Sequence, residues 1–163
     1  MGGTEHPAVA VHDHGLRDPW RMVERFHQTG RKVTPQRVAV VEIMCSSTTH
    51  PTADMVYAEA QQRLRAISQR TVYQVLTDLC DLGEIKCLNI GSGAARFDPN
   101  NERHQHLLCD RCGQLADVYL DLGLAALLDE SFEGFRASHA DVLLHGTCTD
   151  CTDWESQPGL APG

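Results

Sequence analysis

Apolar residues recur at helical spacing from Pro19 onward, with Trp20, Val23 and Phe26 on one face and Gly30 ending the run. Thr34-Pro35 then supplies an N-cap side chain followed by a proline at the first helical position, which predicts a second helix through about Cys45. After His50-Pro51 the segment TADMVYAEAQQRL is rich in helix formers and offers Met55, Val56 and Leu64 to a core. Ser68 caps a fourth predicted helix, in which Val72, Val75, Leu76 and Leu79 follow i, i+3, i+4, i+7 spacing and Gly83 provides the stop. The opposite face carries Arg70, Tyr73, Gln74 and Thr77. EIKCLNI, the turn GSGA and ARFD read next as a two-stranded hairpin. Helices followed by a hairpin fit a winged helix-turn-helix, with residues 69–81 as the helix that enters a major groove and the hairpin as the wing. A plain helical bundle with a hairpin fits the same periodicity.

Beyond His104 the pattern shortens to strands. HQHLLC and QLADVYL are expected as strands, followed by a helix from about Leu122 to Phe132 and a last strand near SHADVLLH. A module of about 50 residues is small enough to need a metal staple or a partner subunit. Residues 1–16 are polar and histidine-rich without periodicity and read as a mobile tail, in which His6, His12 and His14 have no assigned role. Pro99-Asn100-Asn101 is a plausible hinge. The fold class expected is α+β, a winged helix-turn-helix followed by a small α/β domain.

Charge divides the chain in the same place. The net charge of the 163 residues is −8, yet residues 1–100 hold 11 Lys+Arg against 11 Asp+Glu, and residues 101–163 hold 3 against 11. A neutral first half carrying Lys32 and Arg37 is able to meet phosphates while the acidic half faces away, although an ordinary solvated mixture gives the same balance. No apolar run approaches the roughly 20 residues that cross a bilayer, and the first residues lack the basic start and apolar middle of a signal peptide, so a cytoplasmic protein is expected. Seven cysteines in a reducing compartment favour metal ligation or thiol chemistry over a disulfide framework.

Four of those cysteines form two Cys-x-x-Cys knuckles, Cys109/Cys112 and Cys148/Cys151. Each knuckle converges two thiolates on one ion, and two complete the tetrahedral sulfur set that zinc prefers, closed to water and therefore structural. A redox dithiol switch and four unrelated thiols are the competing readings. Cys45, Cys80 and Cys87 are expected in the core. His104 and His106, two apart on a strand, face the same side, and Asp98 and Asp117 are placed to close around them. Such nitrogen and oxygen donors suit iron(II), manganese(II) or zinc; scattered surface residues are the alternative. On the fourth helix Arg70, Tyr73 and Gln74 are the candidates for contact with bases, and Lys32 and Arg37 for contact with phosphates.

The motifs VTPQR (33–37), HPTADMVY (50–57), ISQRTVYQVLTDLCDLGEI (67–85), ARFD (95–98), HQHLLCDRCG (104–113) and GTCTDC (146–151) together resemble the ferric uptake regulator (Fur) family of metal-dependent repressors, and most closely its peroxide-sensing PerR branch. The resemblance implies a DNA-binding domain over 17–98, a hinge at 99–103, a dimerisation and metal-binding domain over 104–152 and a C-terminal tail at 153–163. It also implies a homodimer on a pseudo-palindromic operator of double-stranded DNA. The four knuckle cysteines fall where the family holds structural Zn(2+). The PerR pattern of three His and two Asp matches His50, Asp98, His104, His106 and Asp117, and His50 enters the set only through this resemblance. Iron-uptake sensors of the family usually carry glutamate where this chain has Asp98, and a zinc-uptake sensor a cysteine nearby. An additional family site, whose positions here are Arg103 and Ala140 beside His139, is not supported.

By this resemblance, Fe(2+) or Mn(2+) in the His/Asp set favours operator binding, and peroxide releases it through oxidation of a ligand histidine. Alternatives are an iron-responsive uptake regulator of the same family and, from another class, a zinc-dependent hydrolase using His104, His106 and Asp117 or a zinc-ribbon interaction module. A hydrolase requires an open metal position, a general base and a pocket, and no sequence sign of a pocket is present.

Overall fold

The computed structural model describes residues 18–90, 93–123, 131–132, 134–136 and 140–155, in two compact units that divide between Glu102 and Arg103. The expected tail at 1–16 lies outside the described residues, as does His139. No helix among the described residues is long and apolar enough to cross a membrane.

The first unit holds helices α1 (Pro19–Gln28), α2 (Pro35–Ser46), α3 (Ala53–Arg63) and α4 (Gln69–Asp81), then strands β1 (Lys86–Leu88) and β2 (Arg96–Asp98). Each helix starts on a side chain that accepts a backbone N–H of the first turn: Asp18 from Trp20, Thr34 from Arg37, Thr52 from Met55 and Ser68 from Thr71. Each such cap stabilises its helix by about 1 kcal/mol. Helix α4 stops where Gly83, at φ +69°, turns the chain, with Gly83 N–H donating to Cys80 O and Glu84 N–H to Leu79 O. That paired arrangement satisfies the last carbonyls of the helix and sends β1 back toward it.

The core joins Phe26 of α1, Val40, Val41 and Met44 of α2, Val56 and Ala60 of α3, and Val72, Val75, Leu76 and Leu79 of α4, sealed by Ile85 and Phe97. Helix α2 touches the other three helices. Two expected core residues face water instead. Trp20 is 66% exposed because it lies 200° around α1 from the buried Met22, and Met55 is 51% exposed because Ala53, Val56 and Ala60 define the buried face of α3. Cysteine burial is also uneven: Cys45 is buried, its Sγ 3.6 Å from Met22 Sδ, whereas Cys80 is half-buried and Cys87, expected in the core, is exposed.

Among the described residues, two carboxylates are buried in this unit, Asp78 and Asp98, and the first ties the helices together. Asp78 occupies a position on the inward side of α4 and is 6% exposed. Arg37 Nη2 donates to its Oδ2 at 2.6 Å, Gln74 Nε2 donates to its Oδ1 at 3.0 Å, and Arg31 Nε stands 3.6 Å from Oδ1. Arg37 also donates to Lys32 O and lies over the Phe26 ring at 4.8 Å. Three elements, α1's following loop, α2 and α4, are thereby tied to one buried charge.

The second unit holds β3 (Gln105–Cys109), β4 (Leu115–Val118), β5 (Ser131–Phe132), β6 (Phe135–Arg136), β7 (Leu143–Gly146) and α5 (Thr149–Glu155). Strand β3 is central, antiparallel to β4 and parallel to β7, and β5–β6 form a separate hairpin. Of the helix expected near 122–132, residues 124–130 lie outside the described residues, and Ser131–Phe132 are strand. Helix α5 continues through Glu155, past the point where the sequence suggests a tail. Asn101, expected in a hinge, is anchored to the first unit by Nδ2 donating to Gly83 O and Glu84 O.

Removing a partner from a buried ion pair strands the other charge, so Asp78→Ala should lower stability by about 3–5 kcal/mol. The double variant with Arg37→Ala should lose less than the sum of the two singles. Urea unfolding monitored by circular dichroism checks both; additive losses would mean that Arg37 and Asp78 act separately.

Candidate metal centres and an exposed helix face

Strand register builds the first half of the His/Asp set. Thr52 bridges Arg96 antiparallel, Phe97 N–H donates to Pro51 O and Arg96 Nη1 donates to His50 O, so residues 50–52 lie alongside β2. Extending that register by two residues sets His50 opposite Asp98, and His50 Nε2 stands 3.7 Å from Asp98 Oδ1. Both are buried, Asp98 completely. Asp98 Oδ1 also accepts the Asn100 N–H at 2.6 Å, which fixes its orientation. Sequence spacing could not have found this pair, because the two segments are far apart in the chain, the Arg96 Nη1 to His50 O hydrogen bond alone spanning 46 residues.

In the second unit, His106 lies directly opposite Asp117 across the β3–β4 ladder, and His104 precedes it by two residues on the same face. Asp117 Oδ1 lies 3.5 Å from His104 Nε2 and 3.8 Å from His106 Nε2, and the two imidazole nitrogens approach to 2.9 Å. Two imidazoles and a carboxylate with their donor atoms gathered at one point are a hard, nitrogen/oxygen ligand set.

The four knuckle cysteines also converge. The parallel pairing of β3 with β7 brings Cys109 alongside Gly146, and Asp110 N–H donates to Gly146 O at 2.8 Å, which delivers Cys148 to the first knuckle. Gly113, at φ +72°, closes that knuckle by donating to Cys109 O. Cys148 opens α5, so that Cys151 returns one turn later, with Arg111 Nη1 donating to Cys151 O. All four sulfurs lie within 4.8 Å of one another, and Cys112 Sγ to Cys148 Sγ is 3.7 Å. An ion bonded to four sulfurs at about 2.3 Å separates them by about 3.8 Å, so the residues fit a tetrahedral ion of zinc's size.

Local backbone prepares this site for negative charge. N–H groups of Cys112 first, then Cys148, aim at the Cys109 sulfur and lower its pKa from 9.0 to about 6. The Cys151 thiol, donating within the cluster to Cys148 and Cys112, is pushed up to about 12. One sulfur is thus already held as the thiolate that a metal requires.

On α4 the exposed row Arg70, Tyr73, Gln74 and Thr77 runs opposite the buried Val72, Val75, Leu76 and Leu79. Tyr73 is 45% exposed. Lys32 is exposed just before α2, whereas Arg37 is held inward by Asp78. Gln74 Nε2 is shared with the same carboxylate. Asp78 itself escaped the sequence reading; its signal was an acidic residue at i+3 from Val75 in an otherwise apolar stripe.

A profile of the ferric uptake regulator family matches residues 28–145. The peroxide-responsive repressor PerR of Staphylococcus aureus (strain USA300) is 34% identical over 132 residues, covering 80% of this chain and 89% of that protein. Among solved structures, the Helicobacter pylori ferric uptake regulator Fur superposes with a TM-score of 0.69 at 23% identity, over 84% of this chain and 95% of that one, which bears on the fold. The Campylobacter jejuni peroxide stress regulator superposes at 0.61 with 27% identity, over 83% of this chain and all of that one. Helices, hairpin and sheet in this order, carrying a four-cysteine cluster and matched along most of their length, make this chain a member of the ferric uptake regulator family of metal-dependent transcriptional regulators.

Proposed function

We propose that the protein is a peroxide-responsive repressor that binds operator DNA as a homodimer while Fe(2+) or Mn(2+) is held by His50, Asp98, His104, His106 and Asp117. The observation that carries this reading is the composition and pairing of the donors. The set has three imidazoles, two carboxylates and no thiolate; register pairs His50 with Asp98 and His106 with Asp117, and His104 lies two residues before His106. That set favours iron(II) or manganese(II) over soft-metal chemistry. The 34% identity to a peroxide-responsive repressor supports the choice of signal.

One ion in this reading draws on all five residues. Metal and operator then strengthen each other's binding by the same factor if the metal-bound form is the one that fits DNA. Iron(II) held by these residues would supply the reduction of peroxide, and His50 and His104 would be the imidazoles that take up the oxygen. In this reading Arg70, Tyr73 and Gln74 meet the major groove, Lys32 meets a phosphate, and Arg37 sets the pose of α4 through Asp78. Zn(2+) on Cys109, Cys112, Cys148 and Cys151 staples the second unit, and the 74% exposed Phe135 belongs to apolar surface that a second copy would cover.

Operator fragments selected from a random duplex library provide the test. Mn(II) or Fe(II) should tighten binding by about 5- to 150-fold, peroxide should abolish it with iron and not with manganese, and His50→Ala should lose the metal response. Mass spectrometry should then find an added oxygen on His50 or His104 of the iron form. Metal-dependent binding that survives in His50→Ala would overturn the five-residue ligand set. For the cysteine site, Cys112→Ser should reduce zinc below one per chain by elemental analysis and expose the second unit to trypsin; full zinc content would contradict the assignment.

A further inference from the structure

Cys80 and Cys87 have no part in either metal centre. Cys80 sits in the last turn of α4, half-buried against the core, and Cys87 sits in the middle of β1, exposed. Two features of the backbone bring them together. The turn at Leu82–Gly83, closed by Gly83 N–H to Cys80 O and Glu84 N–H to Leu79 O, folds β1 back beside the end of α4. The β1–β2 register then places Cys87 directly opposite Phe97, and facing residues of an antiparallel pair point to the same side of the ladder. Phe97 is buried in the helical core, so Cys87 points to the side where Cys80 lies. Cys87 is near enough to Cys80 to act on its thiol.

We propose that Cys80 and Cys87 are a peroxide-oxidisable dithiol, closing to an intramolecular disulfide that pins the end of α4 to the first strand of the wing. The site goes beyond the metal-based reading and does not depend on it. The exposed Cys87 is the attacking sulfur. Its thiolate attacks the distal oxygen of a hydroperoxide, an S–O bond forms as the O–O bond breaks, and Cys87 becomes a sulfenic acid while the second oxygen leaves, protonated, as an alcohol or, from hydrogen peroxide, as water. The Cys80 sulfur then attacks the Cys87 sulfur, the S–O bond breaks, and the Cys80 proton leaves with the hydroxyl as water. Two thiols and hydrogen peroxide thus yield one disulfide and two waters.

The order of attack follows from the surroundings. Cys80 is pushed up to about 12, by burial first and then by the charge of Cys87 and of Asp81. It is a poor first nucleophile, and conversion of Cys87 to an uncharged sulfenic acid removes one of the causes that hold its proton. Burial shields Cys80 from solution oxidants but not from its neighbour. This division between an exposed attacking thiol and a sheltered resolving thiol is what a reversible oxidation needs, since a lone sulfenic acid proceeds to irreversible states.

The test uses the full chain loaded with zinc and Mn(II), so that iron-dependent oxidation of histidine does not occur. After hydrogen peroxide and alkylation of remaining thiols, trypsin cuts behind Lys86 and leaves Cys80 and Cys87 on separate peptides, residues 71–86 and 87–96. The expected product is these two peptides joined, two hydrogens lighter than their sum and separated again by dithiothreitol. In Cys80→Ser, dimedone should trap Cys87 as a sulfenic acid, and in Cys87→Ser the Cys80 thiol should be recovered alkylated and unoxidised after denaturation. Recovery of both cysteines alkylated in the wild type, or Cys87 as sulfinic acid without a linked peptide, would overturn the proposal. Loss of peroxide response in the iron form, with the linked peptide still formed, would instead count against histidine-based sensing alone.

Discussion

Two antiparallel registers set which imidazoles meet which carboxylates in this protein. Thr52 opposite Arg96 carries His50 to Asp98, and His106 opposite Asp117 carries an imidazole pair to a carboxylate. Each pair is held by backbone pairing, so its nitrogen and oxygen donors are oriented by the fold itself. A one-residue slip in either ladder would turn one member of each pair to the opposite face and dismantle the set. Register is in turn held by burial: Phe97 next to Asp98 lies in the helical core, and Leu115 and Val118 flank Asp117 with their side chains buried. Chemistry at these sites is thereby secured by the same packing that makes each unit stable.

A similar economy operates on α4. Its inner row is core and its outer row presents Arg70, Tyr73, Gln74 and Thr77, with the buried Asp78 lying between the two roles. A charge removed from water needs compensation, and Arg37 and Gln74 provide it by hydrogen bonds. The consequence is that Arg37, an obvious phosphate ligand by composition, is occupied in setting the helix, while Lys32 stays exposed. Function on DNA would depend on Arg37 through geometry rather than through direct charge.

Much of the architecture was legible in the sequence because it rests on local rules. Thr34 and Ser68 announce helix starts, Gly83 a stop, and the apolar period of α4 its buried face. The two knuckles were legible as well, since two thiols three apart have little other reason to be so spaced. What spacing could not supply was anything set by long-range pairing: the approach of His50 to Asp98, the parallel β3–β7 pairing that joins the knuckles, and the burial of Asp78. Trp20 and Met55 misled for another reason. Hydrophobic type was read without the full angular position, and both lie off the stripe that packs.

The proposed function rests on one ion being held by a set that includes both His50 and Asp117. Titration of zinc-loaded protein with Mn(II), followed by electron paramagnetic resonance of the free ion, tests it through a double-mutant cycle on His50→Ala and Asp117→Ala. A single shared site predicts one tight Mn(II) per chain in the wild type, a large loss in either single variant, and a double variant scarcely worse than the singles. Two independent sites would give additive losses, with tight binding of one ion surviving in each single variant, and that result would contradict the account.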